Sequence, residues 1–310
     1  MKRKKVQGFT LIELLVATGV TAIIVGLMIT MVSNLLTAYN RSSGALSAQS
    51  QARFVLDQIA TEVESMVLRS STDVMLGATI RGNPSGYQWT RSDKPSGGDS
   101  LSIPPVGVGD RFNELDPIED LRFNQGGVFL TFFSAAPTLA NDVDTGVRAI
   151  GYRMEFDSVT NLGTEPYQYL LYRVEIPARD TFDLGYDLYD SGSFVGPPDL
   201  LSPDENDIIA SNVVDFGVRF YEISDDTLTR GQRGLLFPLN QGEDEYFAAG
   251  SGAQAYPNVI EVMIRILTPE GVRLLRALRD DNLTGTEWWG IVVENSEVYS
   301  RVINIPSEVL

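Results

Sequence analysis

Apolar residues run almost without interruption from Leu14 to Leu36, a stretch of 23 residues with no formal charge and rich in Leu, Ile, Val and Met. At about 1.5 Å per residue such a segment crosses the hydrocarbon core of a bilayer as a helix. The chain then turns polar through TAYNRSSGALSAQSQ, where Gly44 and several serines weaken helical propensity and predict a bend or local melting around 40–44. Beyond it, Ala52, Val55, Leu56, Ile59, Val63, Met66 and Val67 recur at three- and four-residue steps, with Gln51, Arg53, Asp57, Glu62 and Glu64 between them. That period predicts an amphipathic helix reaching about Arg69, its polar row solvated and its apolar face packed on a sheet.

Further along, the period changes to two. Ile150, Tyr152, Met154 and Phe156 alternate with Gly151, Arg153 and Glu155, and Leu170, Tyr172, Val174 and Ile176 alternate with Leu171, Arg173 and Glu175. The same pattern returns at Val214–Phe220 and at Ile260–Ile266, and each run predicts a strand with one wet face. VFLTFF at 128–133, GIVVE at 290–294 and VYSRVINIP at 298–306 read as further strands, and GVRLLRALRD at 271–280 as a short helix. Gly, Pro, Ser and Asp clusters such as 83–100 and 189–207 read as long surface loops. The expected fold class is α+β, a long N-terminal helix packed against a head rich in antiparallel sheet.

Charge divides by position. Lys2, Arg3, Lys4 and Lys5 precede the apolar run, whereas the whole chain has a formal net charge of −17. The basic cap marks a cytoplasmic N-terminus and puts the acidic remainder across the inner membrane. A chain this acidic is unsuited to a sequence-independent grip on nucleic acid. Cys and His are both absent from the 310 residues, which excludes thiol nucleophiles, Cys/His zinc sites and Ser-His-Asp catalysis. The apolar run is longer than the core of an ordinary secretory signal, and no A-x-A motif closes it.

Glu13 is the one acid at the head of this apolar segment, and no Lys or Arg follows it until Arg41. An acid inside a bilayer costs about 3 kcal/mol on insertion scales and is usually paired. Near the headgroups it would simply be hydrated. The surrounding residues, MKRKKVQ-GFTLIELL, resemble the leader of type IV prepilins and type II secretion pseudopilins. The resemblance implies a pilin-like fold and cleavage by a membrane prepilin peptidase between Gly8 and Phe9, with N-methylation of Phe9. It also implies assembly of other pilin or pseudopilin subunits through the helix, with Glu13 meeting the Phe9 ammonium of a neighbour. It divides the chain into a leader at 1–8, a transmembrane and assembly helix at 9–36, an amphipathic continuation at 37–70 and an extracytoplasmic head at 71–310. The order of elements in the head resembles, more loosely, the larger minor pseudopilins of the J or W type.

Thr18, Ala22 and Gly26 fall at i, i+4 and i+8 on the span, with Gly19 beside them, a row of small residues that admits another helix. Three acidic clusters supply oxygen ligands of the kind calcium takes: Asp183, Asp187 and Asp190; Asp204, Glu205 and Asp207; Glu243, Asp244 and Glu245. None has EF-hand spacing, and solvated loop charge explains each, so no cofactor is expected. Trp288 and Trp289 suit packing better than a sugar platform, and the glycine runs QGG and SGG lack the setting of a phosphate loop. The expectation is a structural subunit rather than an enzyme. The rival is a single-pass membrane protein whose acidic head binds a ligand or hydrolyses glycans with a carboxylate pair.

Overall fold

The computed structural model describes residues 10–69, 72–80, 128–135, 146–158, 167–188, 200, 203–223, 233–237, 245–249, 254–279 and 288–305. Helix α1 spans Leu11–Glu64. It is followed by β1 (Leu76–Ile80), β2 (Val128–Ser134), β3 (Arg148–Ser158), β4 (Tyr167–Ile176), α2 (Ala178–Leu184) and a single 3-10 turn at Glu205–Asp207. Then come β5 (Ile208–Ser211), β6 (Val213–Ile223), β7 (Arg233–Phe237), β8 (Glu245–Ala248), β9 (Val259–Leu267), α3 (Pro269–Arg279), α4 (Trp288–Glu294) and β10 (Ser296–Asn304). The chain divides into two compact units, Met1–Ser47 and Ala48–Leu310.

In the first unit α1 is apolar from Leu11 to Leu36, and that stretch is exposed. It is helical throughout 40–44, so the expected melting there does not occur. Gly44 and its serines cost at most about 1 kcal/mol each, too little to open a helix that continues on both sides.

The second unit is built on two antiparallel sheets, one in the order β5-β4-β3-β2-β1-β8 and the other β10-β9-β6-β7. The chain passes from the first sheet to the second at Asn212, whose φ of 62° is tolerated by Asn better than by most residues. Asn212 donates its N–H to the Tyr169 carbonyl at 2.5 Å and accepts from Leu267 N–H at 2.9 Å, tying the two sheets together at the crossover. The main core takes Ala52, Val55, Leu56, Ile59, Ala60 and Val63 from α1, Ile150, Tyr152 and Met154 from β3, and Val214, Phe216, Val218 and Phe220 from β6. β9 adds Ile260, Val262, Ile264 and Ile266. The apolar rows of α1, β3, β6 and β9 thus pack as expected, but the alternate rows of β6 and β9 are not the wet face expected: Asp215, Met263 and Arg265 are buried too.

Three further local expectations fail. α1 stops at Glu64, short of Arg69, because β2 captures the next residues. Val67 N–H bonds the Phe133 carbonyl and Ala135 N–H the Ser65 carbonyl, both at 2.9 Å, and Met66 pairs with Ser134. GIVVE lies in helix α4, not in a strand: a short apolar run fits either element, and Asn295 N–H closes the turn onto the Ile291 carbonyl. β4 presents the opposite face from the one expected. Leu171 joins the main core and Arg173 points to α1, while Val174 and Ile176 pack on the far side of the sheet with Met75, Phe133, Ala149 and Leu200.

That second face of the first sheet is therefore covered rather than wet. Arg153 is buried and lies 5.9 Å from the Phe129 ring. A Cβ at Gly151 would meet Phe129 at 3.2 Å and Leu200 at 3.4 Å, so glycine permits this close approach.

Register explains what Arg173 does. Tyr152 and Arg173 are direct partners across β3 and β4, side by side on the face toward α1. Both reach Glu62, which the helical period places in the solvated row but which is 6% exposed. Tyr152 donates its hydroxyl to Glu62 Oε2, and Arg173 Nε donates to Glu62 Oε1 at 2.7 Å. Arg173 also pairs with Glu175, which Arg148 approaches at 3.3 Å, and Ser134 Oγ donates to the Glu62 carbonyl at 2.9 Å. Burial pushes the Glu62 carboxyl above its usual range, against the pull of Arg173 and the Tyr152 hydrogen bond. Removing one member of a buried ion pair strands the other charge. Arg173→Ala should therefore destabilise the head by about 3 kcal/mol or more, read as a lower urea midpoint of the detergent-solubilised chain.

A second buried acid has no such partners. Asp215 on β6 is wholly buried, and neither carboxylate oxygen has a hydrogen-bond donor among the described residues. Arg265, its register partner on β9, sends Nη1 to Ser296 Oγ at 3.1 Å. Desolvation outweighs the attraction of Arg265 and pushes the Asp215 pKa up to about 7 from 3.8. Between those values the folded head holds a proton that the unfolded chain has released, so stability falls as pH rises. The full loss is on the order of 4 kcal/mol. In chemical denaturation between pH 4 and pH 8, Asp215→Asn should flatten this decline; an unchanged slope would show that other groups cause it.

Candidate assembly site

The start of α1 is built by four residues, Thr10 to Glu13. The first turn of a helix has N–H groups with no intrahelical acceptor, and in an apolar setting each must find one. Thr10 Oγ1 accepts from Glu13 N–H at 3.3 Å. In return Glu13 Oε2 accepts from Thr10 N–H at 2.9 Å and from the Thr10 hydroxyl at 3.0 Å. This reciprocal pattern is a capping box, and the carboxylate also lies at the positive end of the helix dipole. Glu13 is thus a structural member of the helix terminus as well as a charge. The T-x-x-E spacing that signals such a cap stands in GFTLIE, but a reading of Glu13 as an isolated acid passes over it.

From Leu11 to Leu36 the helix is long and apolar enough to cross a membrane, and none of it is buried. Its hydroxyls are satisfied internally. Thr18 donates to the Leu15 carbonyl at 2.9 Å, Thr21 to Ala17 at 2.8 Å and Thr30 to Gly26 at 3.0 Å, so none brings an unpaired donor into lipid. Thr18, Ala22 and Gly26 share one side of α1 by their four-residue spacing. Nothing lies within 4 Å of where a Cβ would stand on Gly19 or Gly26, which leaves room for a neighbouring helix backbone. Gly8 and Phe9 lie outside the described residues.

Among the described residues the acids of the three clusters do not converge on a common site. Asp187 Oδ1 accepts from Val74 N–H at 3.0 Å. Asp204 and Asp207 cap the 3-10 turn reciprocally, Asp204 accepting from Asn206 N–H at 2.6 Å and Asp207 from Asp204 N–H at 2.9 Å. Asp190, Glu243 and Asp244 lie outside the described residues, as do the side chains of Glu245, Trp288 and Trp289. Among the described residues no group of three or more acids is placed to hold a metal ion.

Residues 3–29 match the family model of the prokaryotic N-terminal methylation motif. The chain has the N-terminus of a type IV pilin-like protein. No curated protein and no solved structure is matched by the chain. The matched segment takes in the basic leader, the capping box and most of the apolar helix. The motif is the kind that prepilin peptidase processes and that pilin subunits assemble through. Glu13 accepts from the amide and the hydroxyl of Thr10, the residue after Phe9.

Removing the cap hydroxyl while keeping the side-chain shape tests this geometry. Thr10→Val should cost the helix terminus about 1 kcal/mol. Hydrogen exchange of the Glu13 amide in detergent micelles should then quicken by about fivefold, and an unchanged rate would show that the hydroxyl does not cap the helix.

Proposed function

We propose that this pilin-like chain is a minor pilin or pseudopilin, a structural subunit of a type IV pilus or a type II secretion pseudopilus. It is inserted in the inner membrane with its basic leader in the cytoplasm and its head outside. Prepilin peptidase cuts between Gly8 and Phe9, and the new amine of Phe9 is methylated. Other pilin subunits then meet the helix along Thr18, Ala22 and Gly26. The reading rests above all on the methylation motif at 3–29 running into an apolar helix whose one charged residue between Leu11 and Leu36 is Glu13. Catalysis has no part in it.

Cleavage would leave a cation at Phe9, one residue before the Thr10 amide that Glu13 already accepts from. In a low-dielectric filament interior the Phe9 ammonium of one subunit and the Glu13 carboxylate of the next attract strongly, and either alone is costly. The capping box lowers the entropic cost of that contact by fixing the carboxylate beforehand. The head carries two sheets, more than a repeating shaft subunit requires, which favours a minor subunit.

Intact mass of membrane-extracted protein tests the processing step. The expected species begins at a methylated Phe9, whereas a chain beginning at Met1 would indicate a permanently anchored membrane protein. Glu13→Ala should show the same processed mass but enter sheared filaments far less than wild type when both are expressed together. Equal incorporation would refute the pairing.

A further inference from the structure

Outside α1, the most exposed large apolar residue among the described residues is Phe182, at 70%. Its display is built in. α2 is anchored by Thr181, which is fully buried: its hydroxyl donates to the Ile176 carbonyl at 3.0 Å and accepts from Ala149 N–H at 3.1 Å. Ala178, one turn earlier, is buried as well. With that side of α2 fixed to the sheet, Phe182 is carried on another side of the helix, in solvent.

The ring does not stand alone. Phe182 meets Tyr186 edge to face, with centroids 6.5 Å apart, and Tyr186 meets the buried Phe133 in the same way at 5.6 Å. The Arg69 guanidinium lies 5.9 Å from the Tyr186 centroid and reaches Asp73 at 4.0 Å. A chain of rings thus leads from core to surface, the exposed one resting on the next. An aromatic residue already packed against a neighbouring ring has less freedom to lose when it is bound, as in an interface anchor.

We infer that Phe182 and Tyr186 form a docking ridge for a different protein, which receives the Phe182 ring in an apolar pocket rimmed by Lys or Arg. Charge selects the rim. Asp180 and Asp183 flank Phe182 along α2 against Arg179, while Asp73 pairs with Arg69 and Asp187 accepts from Val74 N–H, in a chain of net charge −17. A second copy would set acid against acid. Ring geometry selects protein over saccharide: the Phe182 and Tyr186 planes meet at 73°, a ridge rather than the flat platform on which a sugar ring stacks, and Phe brings no polar group of its own. This inference stands whether or not the chain enters a filament.

The test places photoreactive p-benzoylphenylalanine at position 182 of the full-length chain, in cells of its source, with irradiation and mass spectrometry of the cross-linked peptides. The expected product joins position 182 to a different protein, at a peptide where apolar residues are flanked by Lys or Arg. Its yield should fall about tenfold when Asp180→Lys and Asp183→Lys are introduced together. A second probe at Arg179 should give the same adduct, and should lose it in a chain carrying Phe182→Ala. An adduct to a second copy, to the chain itself or to saccharide, the lack of any adduct, or indifference to both sets of substitutions would overturn the inference.

Discussion

A carboxylate carried by an apolar helix must be neutralised where water is scarce, and α1 meets that requirement twice. At its start Glu13 accepts from the amide and hydroxyl of Thr10, so the charge closes the helix terminus. Near its end Glu62 is buried between Tyr152 and Arg173, and there the charge joins helix to sheet. The two solutions differ in kind. The first uses donors three residues away and survives in any surroundings that keep the helix. The second uses donors on two strands and exists only once β3 and β4 have paired in register.

That difference decides what the sequence could reveal. Local features were legible: the apolar period of α1, the period-two runs of β3, β6 and β9, and the leader with its Glu13 all follow from short-range spacing. The Thr10 cap is equally local, written in the T-x-x-E spacing that makes Glu13 a hydrogen-bond acceptor as well as a charge. The two-residue period of β4 was also visible, but not which of its rows faces the helix. Leu171, Arg173 and Glu175 look like a wet face until Glu62 is known to be buried, and nothing near Glu62 in the chain announces that. The end of α1 was hidden for the same reason. No Gly or Pro stops it at Glu64; β2, more than sixty residues away in sequence, takes over its backbone groups.

Buried charge in the head is handled unequally, and the inequality has physical content. Glu62 has donors on both carboxylate oxygens, one of them from a guanidinium. Asp215 has Arg265 opposite it in register yet no donor on either oxygen among the described residues. A raised pKa therefore means different things at the two sites. At Glu62 it reflects desolvation working against real partners; at Asp215 desolvation dominates, and the proton itself is the stabilising ligand.

The Glu62 contact also sets what the rest of α1 presents. A helix packed only by Ala52, Val55, Ile59 and Val63 has a greasy stripe that tolerates some rotation about its axis. Directional bonds from Tyr152 and Arg173 to one carboxylate remove that freedom, since turning the helix by one residue would carry Glu62 out of reach. Once the phase is fixed, the outward residues of the same stretch are fixed as well: Arg53, Phe54, Asp57, Thr61 and Glu64 are exposed, with Phe54 at 55%. Asp57 is engaged by Arg301 of β10, which holds the same phase from the other sheet. The buried Glu62–Arg173 pair holds the rotation of the helix in the head more firmly than the apolar stripe alone would, and the exposed Asp57–Arg301 contact agrees with the same phase but adds little. Any neighbour that packs along this part of α1 meets a surface set by where Glu62 and Asp57 find their arginines.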